Sequence, residues 1–64
     1  MTFEEVLPKM RQGYEIGLEK IADFDVYRIN NGEIERLRSD GEWVPTFLDT
    51  LEILSNDWYV RREG

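Results

Sequence analysis

Arg36 and Arg38 alternate along one stretch of this chain, so on an extended segment both guanidinium groups fall on one side. Planar guanidinium forks suit phosphate and carboxylate oxygens. Tyr27 falls beside Arg36 if the chain folds back on itself between them, and a guanidinium next to an aromatic face can hold a nucleotide's phosphates and base. Carboxylates also recur at a spacing of two: Asp23 with Asp25, and Glu33 with Glu35. On strands each pair shares a face, as a hydrolase pair or a hard-metal site requires. The same spacing arises on any solvated acidic strand face, and that is the reading adopted for both. The chain has no His and no Cys, which removes the usual nucleophile and base arrangements and the favoured transition-metal ligands. Gly13 and Gly17 bracket Tyr14-Glu15-Ile16, and an acidic residue inside a glycine loop repels phosphate. The residues therefore describe a binder, not an enzyme, with no cofactor and no metal. Trp43 and Trp58 default to core packing in so small a domain, although either ring can expose an edge in a pocket.

The elements that must position these residues are legible in outline. Thr2-Phe3-Glu4-Glu5 has the capping-box pattern and opens a helix whose Phe3, Val6, Leu7 and Met10 share one face. Gly13 closes it, and Pro8, which cannot donate to the Glu4 carbonyl, predicts a kink or irregularity. Residues 14–18 alternate as a short strand, interrupted at Gly17. Residues 24–29 and 33–38 form a hairpin around Asn30-Asn31-Gly32, because an Asn-Gly step suits the positive φ angles of a tight turn. With Asn31 and Gly32 as the loop, Asn30 pairs with Glu33, Arg28 faces Glu35, Asp25 faces Arg38 and Val26 faces Leu37. That register puts Phe24, Val26 and Leu37 on a face expected to take the helix. Tyr27, Ile29, Ile34, Arg36 and Arg38 lie on the other, which is either solvated or turned toward a partner or ligand. Ser39-Asp40-Gly41-Glu42 is a turn. Thr46-Phe47-Leu48-Asp49 reads as a second capping box starting a short helix over 46–54, which buries Phe47 or Leu48 with Leu51 and Leu54. Ser55-Asn56-Asp57 turns into a last strand over 58–61. The expected fold is α+β, one domain over 1–64: an N-terminal helix on an antiparallel sheet of three to four strands, with a short second helix before the last strand.

At 64 residues the domain buries a modest share of its unfolded surface, and oligomerisation is a natural remedy. A hydrophobic content of 41% and an aromatic content of 12% support a folded core. The formal charge of -6 disfavours direct nucleic-acid and anionic-membrane binding and favours encounter with a basic protein surface. The acidic N-terminus does not resemble a signal peptide, so a cytoplasmic location is expected.

Trp43-Val44-Pro45-Thr46, then Asp49, Leu51 and Asn56-Asp57-Trp58-Tyr59-Val60, resemble the "W-x-P-[ST]…D-L-L-A-x-D-W-x-V" ending of a family of small bacteriophage counter-defence proteins. The opening Met1-Thr2-Phe3-Glu4-Glu5-Val6-Leu7, closed by Gly13, is similar to that family's beginning. The family includes the second type of Thoeris anti-defence protein, in which oligomers enclose cyclic ADP-ribose-like signals. Some relatives take up cyclic dinucleotides or are linked to anti-CRISPR activity. The resemblance implies a homo-oligomer in the bacterial host cytoplasm that sequesters a cyclic ADP-ribose isomer or cyclic dinucleotide. Tyr27, Arg36, Trp43, Asn56 and Asp57 are the candidate ligand-binding residues, the first two from the strand pattern and the others from the family-like ending. Family members usually follow the helix-ending glycine with a basic run and a tryptophan, where this chain has Gly13-Tyr14-Glu15-Ile16-Gly17-Leu18-Glu19. That difference, with the acidic charge, motivates a second expectation: an inhibitor of the basic nucleic-acid-binding surface of a host defence protein.

Overall fold

The computed structural model describes residues 1–20 and 24–64 and opens with α1 (Phe3–Arg11). The Glu5 N–H donates to the Thr2 hydroxyl at 3.2 Å and the Thr2 N–H donates to the Glu5 carboxylate at 2.8 Å, so the capping box is complete. Pro8 does not break the helix, which runs α-helical to Arg11. Glu4 and Pro8 are both exposed, so water can reach the Glu4 carbonyl that lacks a donor. Gly13 follows the C-cap with a φ of 96°.

Five antiparallel strands follow: β1 (Glu15–Glu19), β2 (Phe24–Asn30), β3 (Glu33–Leu37), β4 (Trp43–Pro45) and β5 (Trp58–Arg62). Their order across the sheet is β4-β3-β2-β1-β5. The expected three to four strands become five because Trp43–Pro45 joins the ladder, with Leu37 opposite Trp43 and Arg36 opposite Val44. Between β4 on one edge and β5 on the other the chain crosses through α2 (Thr50–Ile53). This helix is shorter than the 46–54 expected and starts later. Asp49 is its N-cap, accepting from the Glu52 N–H at 2.8 Å while the Glu52 carboxylate accepts from the Asp49 N–H at 3.1 Å. Thr46 is instead tied to the sheet, its N–H donating to the Ile34 carbonyl at 3.0 Å.

The β2–β3 hairpin forms in the expected register around a turn with φ of 53° at Asn31 and 78° at Gly32. Its ladder ends at Tyr27 opposite Arg36, so the expected Val26–Leu37 and Asp25–Arg38 pairings do not form. Asp25 pairs with Lys20 at 2.7 Å and Arg38 with Asp40 at 3.2 Å. β1 is also not interrupted at Gly17. Its irregularity is at Glu15/Ile16, where the register against β5 shifts. Gly17 sits opposite Val26 and Tyr59, and a Cβ there would lie 2.2 Å from Tyr59 Cζ. The tyrosine ring occupies the space a side chain would need.

The helix covers the face opposite to the one expected. Val6 and Met10 of α1 pack with Ile16, Leu18, Tyr27 and Trp58, and Ile29, Ile34 and Val60 flank them. The reason lies outside the hairpin. β1 pairs Ile16 with both Tyr27 and Val60, and Leu18 with Trp58, so the neighbouring strands concentrate large apolar groups on the Tyr27 side. Phe24, Val26, Leu37, Trp43 and Tyr59 lie on the outer face.

Candidate functional site

Beyond the Tyr27–Arg36 pair the two strands of the hairpin part. β2 continues along β1, with Val26 opposite Gly17 and Phe24 opposite Glu19, while β3 stays with β4 and turns at Arg38. The turn closes through the Arg38 N–H to the Glu42 carbonyl at 2.7 Å and the Gly41 N–H to the Arg38 carbonyl at 3.0 Å. The gap between the strands is a pocket of about 470 Å³ lined by Phe24, Val26 and Leu37 together with Arg36, Arg38 and Arg61. Arginines border the split from both faces, Arg36 from the helix-covered side of Tyr27 and Arg61 from the outer side of Phe24 and Val26, and guanidinium groups beside an aromatic residue can bind an anion that also bears a flat or apolar portion.

The three are not equivalent. Arg61 Nη1 donates to Glu15 at 2.6 Å and Arg38 is paired with Asp40, both on exposed surface where such pairs exchange readily with solvent or ligand. Arg36 has no ion pair among the described residues. Asp25 also lines the pocket, but its carboxylate is engaged by Lys20 and by the Tyr27 hydroxyl at 3.2 Å.

Tyr27 is only 1% exposed, its ring tilted against Trp58 with centroids 5.6 Å apart. Its hydroxyl donates to Glu52 at 2.6 Å. Burial first, then these carboxylates, hold the phenol far above its ordinary pKa, so it stays a neutral donor. The Glu52 carboxyl is raised by burial, but the bonds from Tyr27, the Asp49 N–H and Lys20 outweigh this and leave it below its ordinary value. Its backbone carbonyl accepts from Trp58 Nε1 at 2.9 Å, so α2 is pinned to the core by both ends of one residue.

Of the five residues singled out from sequence, Tyr27 and Arg36 are adjacent across the ladder, but Tyr27 presents no open ring face. Trp43 is on the outer face of the β4 edge, with the Arg28 guanidinium 4.3 Å above its ring, and Arg28 Nε bonds Glu35 at 2.9 Å. Asn56 and Asp57 lie before β5. The Asn56 carbonyl accepts from the Met1 ammonium at 3.0 Å, and the Asp57 carbonyl accepts from the Glu19 N–H at 3.1 Å. Asp57 borders a separate pocket of about 740 Å³ with Glu19, Lys20, Asp49, Leu51 and Glu52. Thus the five do not converge on one cavity. Among the described residues no group of acidic side chains is arranged to hold a metal, and Asp23, of the first carboxylate pair, lies outside the described residues.

Phe24 and Arg61 had not been singled out. Phe24 carries a local signal, an aromatic at the start of a strand next to Asp25, but Arg61 reaches the pocket from β5, two strands away from β2. The molecule is thus of a general class, an α+β helix-on-sheet domain with a basic, aromatic-edged pocket at a split in its sheet. Comparison with protein-family models, with curated proteins and with solved structures finds no match for the chain.

Proposed function

We propose that this chain is a non-catalytic phage counter-defence protein that binds and sequesters an anionic, cyclic nucleotide-type signal in the host cytoplasm, as a homo-oligomer. The observation that carries the reading is Arg36, a guanidinium without a carboxylate partner among the described residues, in a pocket it shares with Phe24 and two further arginines. The family-like opening and ending of the sequence support the same reading. Phosphates would meet Arg36 first, and Arg38 and Arg61 would exchange Asp40 and Glu15 for the ligand. Isothermal titration with cyclic ADP-ribose isomers and cyclic dinucleotides is the test. Micromolar binding to at least one is expected, and Arg36→Ala should weaken it by about 10- to 100-fold, the usual cost of a lost charged hydrogen bond. No binding to any of them at micromolar concentration overturns the proposal.

A second reading has its own observation. The pocket that holds Lys20 and the engaged Glu52 is also bordered by Glu19, Asp49 and Asp57 around exposed Leu51, so its rim is mainly acidic and suited to a basic protein. An inhibitor working there would capture a host nucleic-acid-binding protein from lysate and release it as salt rises. Capture insensitive to ionic strength counts against it.

A further inference from the structure

Phe47 is 96% exposed, and the same segment exposes Leu51 at 82% and Leu54 at 69%. Beside Phe47 lies a groove of about 510 Å³ whose apolar walls are Phe3 and Leu7 of α1, Ile34, Pro45, Leu48 and Ile53, with Glu33 and Thr46 also on its lining. The chain thus presents an apolar knob next to an apolar cleft. Neither fills the other, because Phe47 forms one rim of the groove and remains almost fully in solvent.

The charges beside the groove decide the occupant. Along α1, Glu4, Leu7 and Arg11 are spaced three and four residues apart and so form one stripe, with Leu7 in the groove wall and the two charges on either side of it. Glu4 and Arg11 are exposed, and neither has an ion pair among the described residues. A stripe ordered acid, apolar, base is complementary to itself when reversed. A two-fold axis crossing α1 at Leu7 sets two helices antiparallel, puts each Glu4 against the other copy's Arg11, and turns the two grooves toward each other. Each Phe47 then has a facing groove to enter. A stable interface needs roughly 800 Å² from each partner, so the knob, the groove and the helix stripe must all take part.

We infer that the groove of one copy takes Phe47 of a second copy, in a two-fold dimer held by α1 and the segment between β4 and α2. Homo-oligomerisation belongs to the function proposed above, but none of these residues lines the basic pocket, so this interface and the nucleotide titration fail separately.

Sedimentation velocity over a concentration series tests the interface. The wild-type chain should dimerise, and Phe47→Ser should raise the dissociation constant by about 30-fold or more, as for the loss of a central aromatic anchor. Circular dichroism should be unchanged, since Phe47 makes little of the core. Glu4→Arg and Arg11→Glu should each weaken the dimer, and the double reversal Glu4→Arg/Arg11→Glu should restore it. A wild-type chain that stays monomeric, an association indifferent to Phe47→Ser, or a double reversal that fails to rescue overturns the proposal.

Discussion

A phenol has one proton to give, and Tyr27 gives it to Glu52 at 2.6 Å, with Asp25 farther off at 3.2 Å; burial and these two carboxylates keep that proton in place. Its hydroxyl is therefore a structural donor that fastens α2 to the sheet, which follows from its position over the core and not from its type. Tyr27→Phe keeps the ring against Trp58 but leaves Glu52, whose side chain is 14% exposed, short of one donor. The expected loss is about 1–3 kcal/mol, read from urea denaturation, with the Glu52 carboxyl moving up when followed by NMR. An unchanged Glu52 titration would show that Lys20 and the Asp49 N–H suffice. Gly17 makes a second prediction of this kind. Gly17→Ala places a methyl where the Tyr59 ring lies, and should cost about 1–3 kcal/mol by overpacking. The cost should largely vanish in a Tyr59→Ala background, so a double-mutant cycle that gives simple additivity would refute the clash.

At the scale of elements, the start of α2 separates two sequence signals that look alike. Both Thr46 and Asp49 precede helical patterns, yet only Asp49 closes a capping box, because Thr46 is held in the extended chain by Ile34. Asp49→Ala should cost about 0.5–2 kcal/mol and Thr46→Ala close to nothing, measured by thermal unfolding of both variants. Comparable losses from the two would show that the longer helix over 46–54 forms in solution. What a sequence shows in advance depends on how local the contacts are. The first helix and the hairpin register rest on contacts within a few residues: Thr2 with Glu5, and Asn31-Gly32 with its flanking strands. The face on which α1 packs rests on β1 and β5, whose pairing joins residues far apart in the chain, so the hairpin alone could not reveal it. The basic pocket was half legible for that reason. Arg36 stood out by alternation, whereas Arg61 depends on β5 inserting beside β1, and the cavity depends on where the β2–β3 ladder stops.

For the whole molecule, the groups that hold α2 to the sheet set opposite pH limits on stability. Glu52 has its folded-state pKa below the ordinary value of 4.5, so its contribution is fully present above 4.5 and is lost as pH falls below that. Glu5, lowered first by the Thr2 N–H, acts in the same direction at the start of α1. Lys20 is raised above 10.5, chiefly by Asp25, so its contribution is complete below 10.5 and is lost as pH climbs beyond it. The Tyr27 phenol, raised above 10.0, is likewise stabilising below 10.0 and destabilising once hydroxide begins to remove its proton in the unfolded chain. The urea midpoint should therefore form a plateau between these limits and fall on both sides. Glu52→Gln should lower the plateau, because an amide is a weaker partner for Lys20 and Tyr27, and should flatten the acid side between about pH 5 and pH 3. Tyr27→Phe should instead soften the alkaline side, and should flatten the acid side in part, because the Tyr27 bond leads the contacts that lower the Glu52 carboxyl. If Glu52→Gln keeps the wild-type acid slope, acid unfolding belongs to the exposed carboxylates of a chain with formal charge -6, and the Glu52 network is not what limits its stability there.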